Sequence, residues 1–205
     1  MKILHLDSSI LGELSISRSI SAQVVEKLKA THGDAQVTYR DLVADPLPHI
    51  TGELAAAMRG LIPEPRPEVQ EQLVLADTLV DEFLSADIAV IGAALYNLTV
   101  STHLKAWMDR VLRAGKTFRY NESGEPVGLA GDARVILCIS RGGVYAPGTP
   151  GAAIEHCESY LRDVLNFMGV KRLDVIAADG SAIGPEFAER AKVHVAKAIS
   201  LLDLA

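Results

Sequence analysis

Apolar positions along the chain follow two alternating rhythms. Short apolar runs of strand length occur at Ile3–Leu6, Ile88–Ala94, Arg134–Ile139 and Leu173–Ala178, with a weaker one at Gln36–Arg40. Ile88–Ala94 contains no polar residue, the pattern of a strand covered on both faces. Between these runs the apolar residues fall at helical spacing. Ile20, Val24 and Leu28 recur every fourth position, and Val69, Leu73, Ala76, Val80 and Phe83 form a longer stripe. Leu104, Trp107, Met108, Val111 and Leu112 mark a third helix, and Tyr160, Leu161, Val164, Leu165 and Met168 a fourth. Pro185 opens a fifth, at a position where proline costs the helix no hydrogen bond. Strand and helix in alternation predict a parallel sheet with helices on both faces. Five strands suit the order 2-1-3-4-5 better than a longer doubly wound sheet.

Two segments stand outside this alternation. Asp45–Pro67 carries Pro46, Pro48, Pro63, Pro65 and Pro67, so it reads as an irregular excursion around a short helical patch, Glu53–Met58. Phe118–Val127 has strand-like ends around Asn121-Glu122-Ser123-Gly124 and predicts a small hairpin. A length of 205 residues predicts a single domain over 1–205. With 49% hydrophobic and 22% charged residues the chain is an ordinary globular one rather than a disordered one. A net charge of −6 without a basic cluster argues against nucleic-acid binding. No run approaches the roughly 20 apolar residues that cross a bilayer, and no secretory leader is expected. Cys138 lies in an apolar run, and Cys157 has no partner at metal or disulfide spacing, which suits a cytoplasmic protein. The six histidines form no ligand-spaced pair, so no metal site is expected; His103 lies close to the predicted site but reads as structural.

In a sheet of this order, ligands bind beyond the carboxyl ends of the strands, where the strand order reverses. Three loops fall there. The first, Asp7–Ser17, holds Ser8, Ser9, Ser15 and Ser17 and runs into a helix. A helix N-terminus offers free N–H groups and partial positive charge to a phosphate, to which serine hydroxyls and Arg18 would add. The alternative is that Ser15 or Ser17 only caps the helix. Neither a dinucleotide glycine fingerprint nor an ATP-type phosphate loop is present. The second loop contains Leu95-Tyr96-Asn97-Leu98. Asn offers donors and acceptors to a heteroaromatic edge and Tyr a flat wall, although both are also ordinary turn residues. The third, Ser140-Arg141-Gly142-Gly143, lets backbone N–H groups approach a ligand with no Cβ in the way, or is a plain glycine turn. Each loop alone is ambiguous; their coincidence at the three ligand-facing positions points to a site.

These residues carry a resemblance. Ser8-Ser9…Ser15-Ile16-Ser17, Leu95-Tyr96-Asn97-Leu98…Ser101-Thr102-His103-Leu104-Lys105, Arg113 to Tyr120 and Ser140-Arg141-Gly142-Gly143 resemble the FMN-dependent NADH azoreductase and quinone reductase family, of flavodoxin-like fold. The likeness runs over the whole chain. It implies that Ser9, Ser15, Ile16 and Ser17 hold the FMN phosphate, that Leu95, Tyr96, Asn97 and Leu98 border the isoalloxazine, and that Ser140, Arg141, Gly142 and Gly143 meet its polar edge. It further implies hydride transfer from NADH, or NADPH, to quinones and azo compounds that bind in turn in one pocket. A homodimer with that pocket at the subunit boundary, and roles for Arg59 at the rim and for Tyr120 on the hairpin at a partner surface, are implied as well. An exposed solvated Arg59 and a plain surface Tyr120 are the bland alternatives. The chain departs from the family where Ala94-Leu95 replaces Pro-Met, where Leu98 replaces Phe, and where Val164 falls near a usual aromatic of the acceptor pocket.

Two other functions share the predicted topology. A flavodoxin-type electron carrier would expose the flavin edge through a strongly acidic face, and would lack the added segments. A phosphoacceptor signalling domain needs an acidic pair after the first strand and an Asp ending the third; here Asp7 stands alone and the third strand ends in Ala93-Ala94.

Overall fold

The computed structural model describes residues 1–203; the last two residues of the expected 1–205 domain, and of the segment closing the chain, lie outside the described residues. Among the described residues seven strands and six α-helices follow in the order β1 (Lys2–Asp7), α1 (Ile16–Thr31), β2 (Gln36–Asp41), α2 (Gly52–Met58), α3 (Pro67–Ser85), β3 (Ile88–Ala94), α4 (Thr102–Val111), β4 (Phe118–Tyr120), β5 (Pro126–Gly128), β6 (Arg134–Ser140), α5 (Glu158–Phe167), β7 (Arg172–Ala178) and α6 (Pro185–Leu201). Five strands form one parallel sheet, β2-β1-β3-β6-β7. With the antiparallel β4-β5 hairpin set aside, this is the expected order 2-1-3-4-5.

The continuous apolar runs follow from two cores, one on each face of the sheet. Ile88 and Val90 of β3, with Ile136 and Cys138 of β6, pack against Ile20, Val24 and Leu28 of α1 and Val195 of α6. The alternate residues Ala89, Ile91, Ala93, Val135, Leu137 and Ile139 pack against Phe83 of α3, Trp107 of α4 and Leu161 of α5. Phe83 meets the Trp107 ring edge-on at 5.8 Å.

The two extra segments take the predicted forms. Leu54 and Ala57 of α2 bury against Val69 of α3, a small third cluster that pins the proline-rich excursion to the sheet layer. The hairpin turns at Asn121, whose Oδ1 accepts from the Ser123 and Glu125 amides. It is held by Phe118 on Phe167 (4.8 Å) and by the Gly128 backbone against that of Gly169. No helix among the described residues is long and apolar enough to cross a membrane.

Candidate functional site

The loops after β1, β3 and β6 meet at one end of the sheet, and direct bonds tie them together. Ser8 Oγ donates to Gly92 O at 2.8 Å. Ser9 Oγ and Tyr96 Oη lie 2.9 Å apart, and the Ile10 amide donates to the same phenol oxygen at 3.2 Å. The Leu95 amide donates to Ser140 O at 2.9 Å. The first loop thus rests on the second, and the second on the third.

The first loop ends in the N-terminus of α1. Ser15 is the N-cap: its hydroxyl accepts from the Arg18 amide at 3.3 Å and lies 3.1 Å from Ser17 Oγ. Ser9, Ser15 and Ser17 are all buried. The helix-cap alternative therefore holds for Ser15 but not for Ser17, whose hydroxyl sits inside the first turn. Among the described residues the Ile16 and Ser17 amides have no acceptor, as expected of the first turn of a helix.

Arg18 departs from the expectation that it adds free charge here. Its guanidinium donates to both Asp41 oxygens (2.6 and 2.7 Å) and to Ser9 O (2.9 and 3.1 Å). The bidentate pair offsets the charge and fixes the loop backbone. The Arg18 guanidinium holds the Asp41 carboxyl down at about 2. Asp41 sits beside Asp7 in the β1–β2 register, and beneath the loop Asp7 accepts from Ser21 Oγ (2.8 Å) and Tyr39 Oη (3.1 Å). Burial first, then the Asp7 charge, pushes the Tyr39 phenol up to about 12, so it stays a donor.

The second loop is a two-residue hairpin. Tyr96 N donates to Thr99 O and Thr99 N to Tyr96 O, with Asn97 at φ 45° and Leu98 at φ 72°. Positive φ at both central positions is the mirror-image turn that suits Asn and strains a branched residue such as Leu98. Leu98 O accepts from the His156 amide at 2.8 Å, and Thr99 Oγ1 donates to His156 O at 3.2 Å. The Asn97 side chain is exposed and, among the described residues, has no partner.

In the third loop every carbonyl from Ser140 to Gly143 is taken: by Leu95 N, Ser181 N, Ala182 N and Gly180 N in turn. The Gly142 and Gly143 amides, by contrast, have no acceptor among the described residues. A Cβ on Gly143 would lie 3.1 Å from the Tyr145 ring. The Arg141 side chain is turned inward and is 4% exposed.

Arg59 and Tyr120 lie elsewhere. Arg59 caps the C-terminus of α2 and lines a groove of about 340 Å³ with Met58, Leu112 and Phe118. Tyr120 is exposed on the hairpin, 5.7 Å from the Phe118 ring. Both are at the far end of α4, a ten-residue helix some 15 Å long, from the three loops of the same chain. Val164 is buried in the core. The Nδ1 of His103 is buried without a partner. Burial pushes the Cys157 thiol up to about 12 and Cys138 higher still, so neither is a nucleophile at neutral pH. No His, Cys, Asp and Glu cluster among the described residues is arranged to hold a metal. The groups the sequence did not flag are Tyr39, Asp41, Glu155 and Asp179, which hold the loops from behind.

A five-stranded parallel sheet of this order, with unpaired backbone amides on two loops and a free Asn97 side chain on the third at its carboxyl end, defines a flavodoxin-like protein. The flavodoxin-like fold family model matches residues 1–202, and the chain belongs to that family. It is 52% identical, over the full length of both chains, to a protein of Methylorubrum populi named FMN-dependent NADH:quinone oxidoreductase. A protein of Xanthomonas campestris pv. campestris with the same name is 52% identical over 91% of each chain. Among solved structures, an azoreductase from Bacillus anthracis superposes with a TM-score of 0.87 at 29% identity, covering 98% of each chain. An FMN-dependent NADH-azoreductase from the same species, in complex with FMN, gives 0.84 at 25% identity over 97% of each.

Proposed function

We propose that this chain is an FMN-dependent oxidoreductase that passes electrons from NADH, or NADPH, to quinones and azo compounds. The observation that carries the reading is the set of unspent donors at the carboxyl end of the sheet, in a chain half-identical throughout to proteins named for that activity. The donor set fits FMN at both ends. The Ile16 and Ser17 amides, with Ser9, Ser15 and Ser17 hydroxyls, suit a terminal phosphomonoester. The Gly142 and Gly143 amides and the Asn97 carboxamide suit a ring edge that gains negative charge.

Bound FMN would supply the two-electron hydride chemistry between the nicotinamide and the acceptor. The protein's part is placement. The α1 N-terminus and its serines anchor the phosphate, and the Tyr96–Thr99 turn with Leu95 borders the ring. The Gly142 and Gly143 amides stabilise negative charge on the ring's polar edge. No side chain is needed as nucleophile or base, and both thiols are held protonated by burial.

The substrate pocket is completed by a second copy of the chain. Ile10, Leu11, Leu14 and Leu98 are exposed around the loops, a group of large apolar side chains that a partner surface would cover. Arg59 and Tyr120 stand at the other end of α4 from their own subunit's loops, and would serve the FMN site of a second copy across the subunit boundary. Two unpaired, buried cysteines support a cytoplasmic setting.

Titration of the apo protein with FMN tests the site. FMN binds stoichiometrically with the chain and in preference to FAD, and anaerobic NADH then bleaches it. In the double variant Ser9→Ala/Ser17→Ala, affinity falls by on the order of 1.5–3 kcal/mol for each lost charged hydrogen bond. Unchanged affinity in that variant would assign the hydroxyls to capping alone.

A further inference from the structure

The guanidinium of Arg141 is buried, 4% exposed, among three carboxylates. Nη1 donates to Asp179 Oδ1 at 3.2 Å, Nη2 donates to Glu158 Oε2, and Nε lies 3.6 Å from Glu155 Oε1. The three carboxylates belong to two segments, the start of α5 and the turn after β7. Asp179 follows β7, and its other oxygen accepts the Tyr145 amide at 3.0 Å. Glu155 caps α5, accepting from the Cys157, Glu158 and Ser159 amides. Its neighbour His156 grips both sides of the Tyr96–Thr99 turn, at Leu98 O and Thr99 Oγ1.

A chain of contacts therefore runs from the Asn97–Leu98 turn through His156 and Glu155 to Glu158, whose carboxylate takes Arg141 Nη2, and on through Asp179 to Tyr145; Arg141 Nε itself has no hydrogen-bond partner and meets Glu155 only as an ion pair. We propose that Arg141 is a positioning residue: its buried guanidinium couples the turn after β3 to the loop after β6 and so sets where the Gly142 and Gly143 amides and Asn97 present themselves. The inference rests on the FMN reading above and deepens it, because these are the donors assigned to the ring. The first loop meets this network only at the Tyr96 hydroxyl, through Ser9 and Ile10. Its backbone is held instead by Arg18 and Asp41, which make no bond with Arg141 among the described residues.

Arginine is specific to this task. A planar fork of donors reaches three carboxylates in different directions, where an ammonium reaches them only as a point charge. Leu98 at φ 72° is a strained residue that persists only where its surroundings over-determine it, and the His156 grip is that constraint.

Two readouts test this: amide hydrogen exchange of the apo protein, and the reduction potential of bound FMN. In Arg141→Met, exchange quickens in residues 96–99 and 142–146 but not in 8–18. FMN is still bound, while the preference for the reduced over the oxidised flavin drops about tenfold, moving the potential about 30 mV more negative. Arg141→Lys falls between Met and wild type. Asp179→Asn, which removes one leg and keeps the arginine, shifts the potential in the same direction; it decides the matter should the methionine variant not fold. Unaltered exchange and potential, or exchange that quickens equally in all three loops, would overturn the assignment. A wild-type protein that takes up no FMN would instead sink the FMN reading, and the exchange comparison would still decide the role of Arg141.

Discussion

Arg18 and Asp41 show what a residue's neighbours do to its reading. From the sequence, Arg18 is a cation beside a serine-rich loop and so a phosphate ligand. In the fold its charge meets Asp41 at 2.6 and 2.7 Å, and its contribution is to hold Ser9 O. The signal that would have found this is the β1–β2 register, which sets Asp7 against Asp41 and demands a cation between them. Register is a long-range fact that periodicity does not carry. The serines were legible because their role is local, in the first turn of a helix. Asp41→Asn keeps an oxygen for the Val43 amide (2.9 Å) but loses the ion pair. The folded carboxyl is depressed, from 3.8 to about 2, so its stabilisation is complete above the unfolded value and fades as pH falls toward 2. Allowing for partial exposure, the variant is about 1–2 kcal/mol less stable than wild type at neutral pH. Denaturant unfolding across pH should show that gap closing below about pH 4. A gap independent of pH would mean the pair contributes nothing.

At the level of elements, the period of the apolar pattern carried nearly everything. Ile88–Ala94 is the third sheet strand to the residue, and the hairpin and the excursion helix fall where the turn chemistry put them, the hairpin closing at Gly128 rather than Val127. What stayed hidden is the tight contact between elements. Gly92 reads as one small residue in an apolar strand, yet a Cβ there would lie 2.4 Å from Asp7 Oδ1 and 3.3 Å from Ser21 Oγ. Only glycine lets β3 pass the buried carboxylate that accepts from Ser21 and Tyr39 under the first loop. Gly92→Ala should cost on the order of 1–3 kcal/mol of stability, as overpacking does. Thermal unfolding measures it, and a melting temperature equal to wild type would show that the Asp7 network yields freely.

For the whole molecule, the sheet order followed from strand count, and the position of the site followed from the order. The three loops were legible together because topology brings the ends of β1, β3 and β6 to one place. Arg59 and Tyr120 were not placeable, since the resemblance puts them at a pocket and a single chain puts them a helix length from one. The proposed second copy would reconcile the two. Sedimentation equilibrium should give twice the mass of a 21.9 kDa chain, and a concentration-independent monomer would leave Arg59 and Tyr120 without a site.

The central claim is that donor and acceptor react in turn at one FMN. Its direct measurement is the initial rate of NADH oxidation by the FMN-loaded protein at several fixed concentrations of a quinone. Apo protein should be inactive until FMN is supplied, and the double-reciprocal lines should be parallel. Intersecting lines would put both substrates on the protein at once and contradict the shared pocket, and FMN-loaded protein that leaves NADH unoxidised in the presence of the quinone would contradict the enzyme itself.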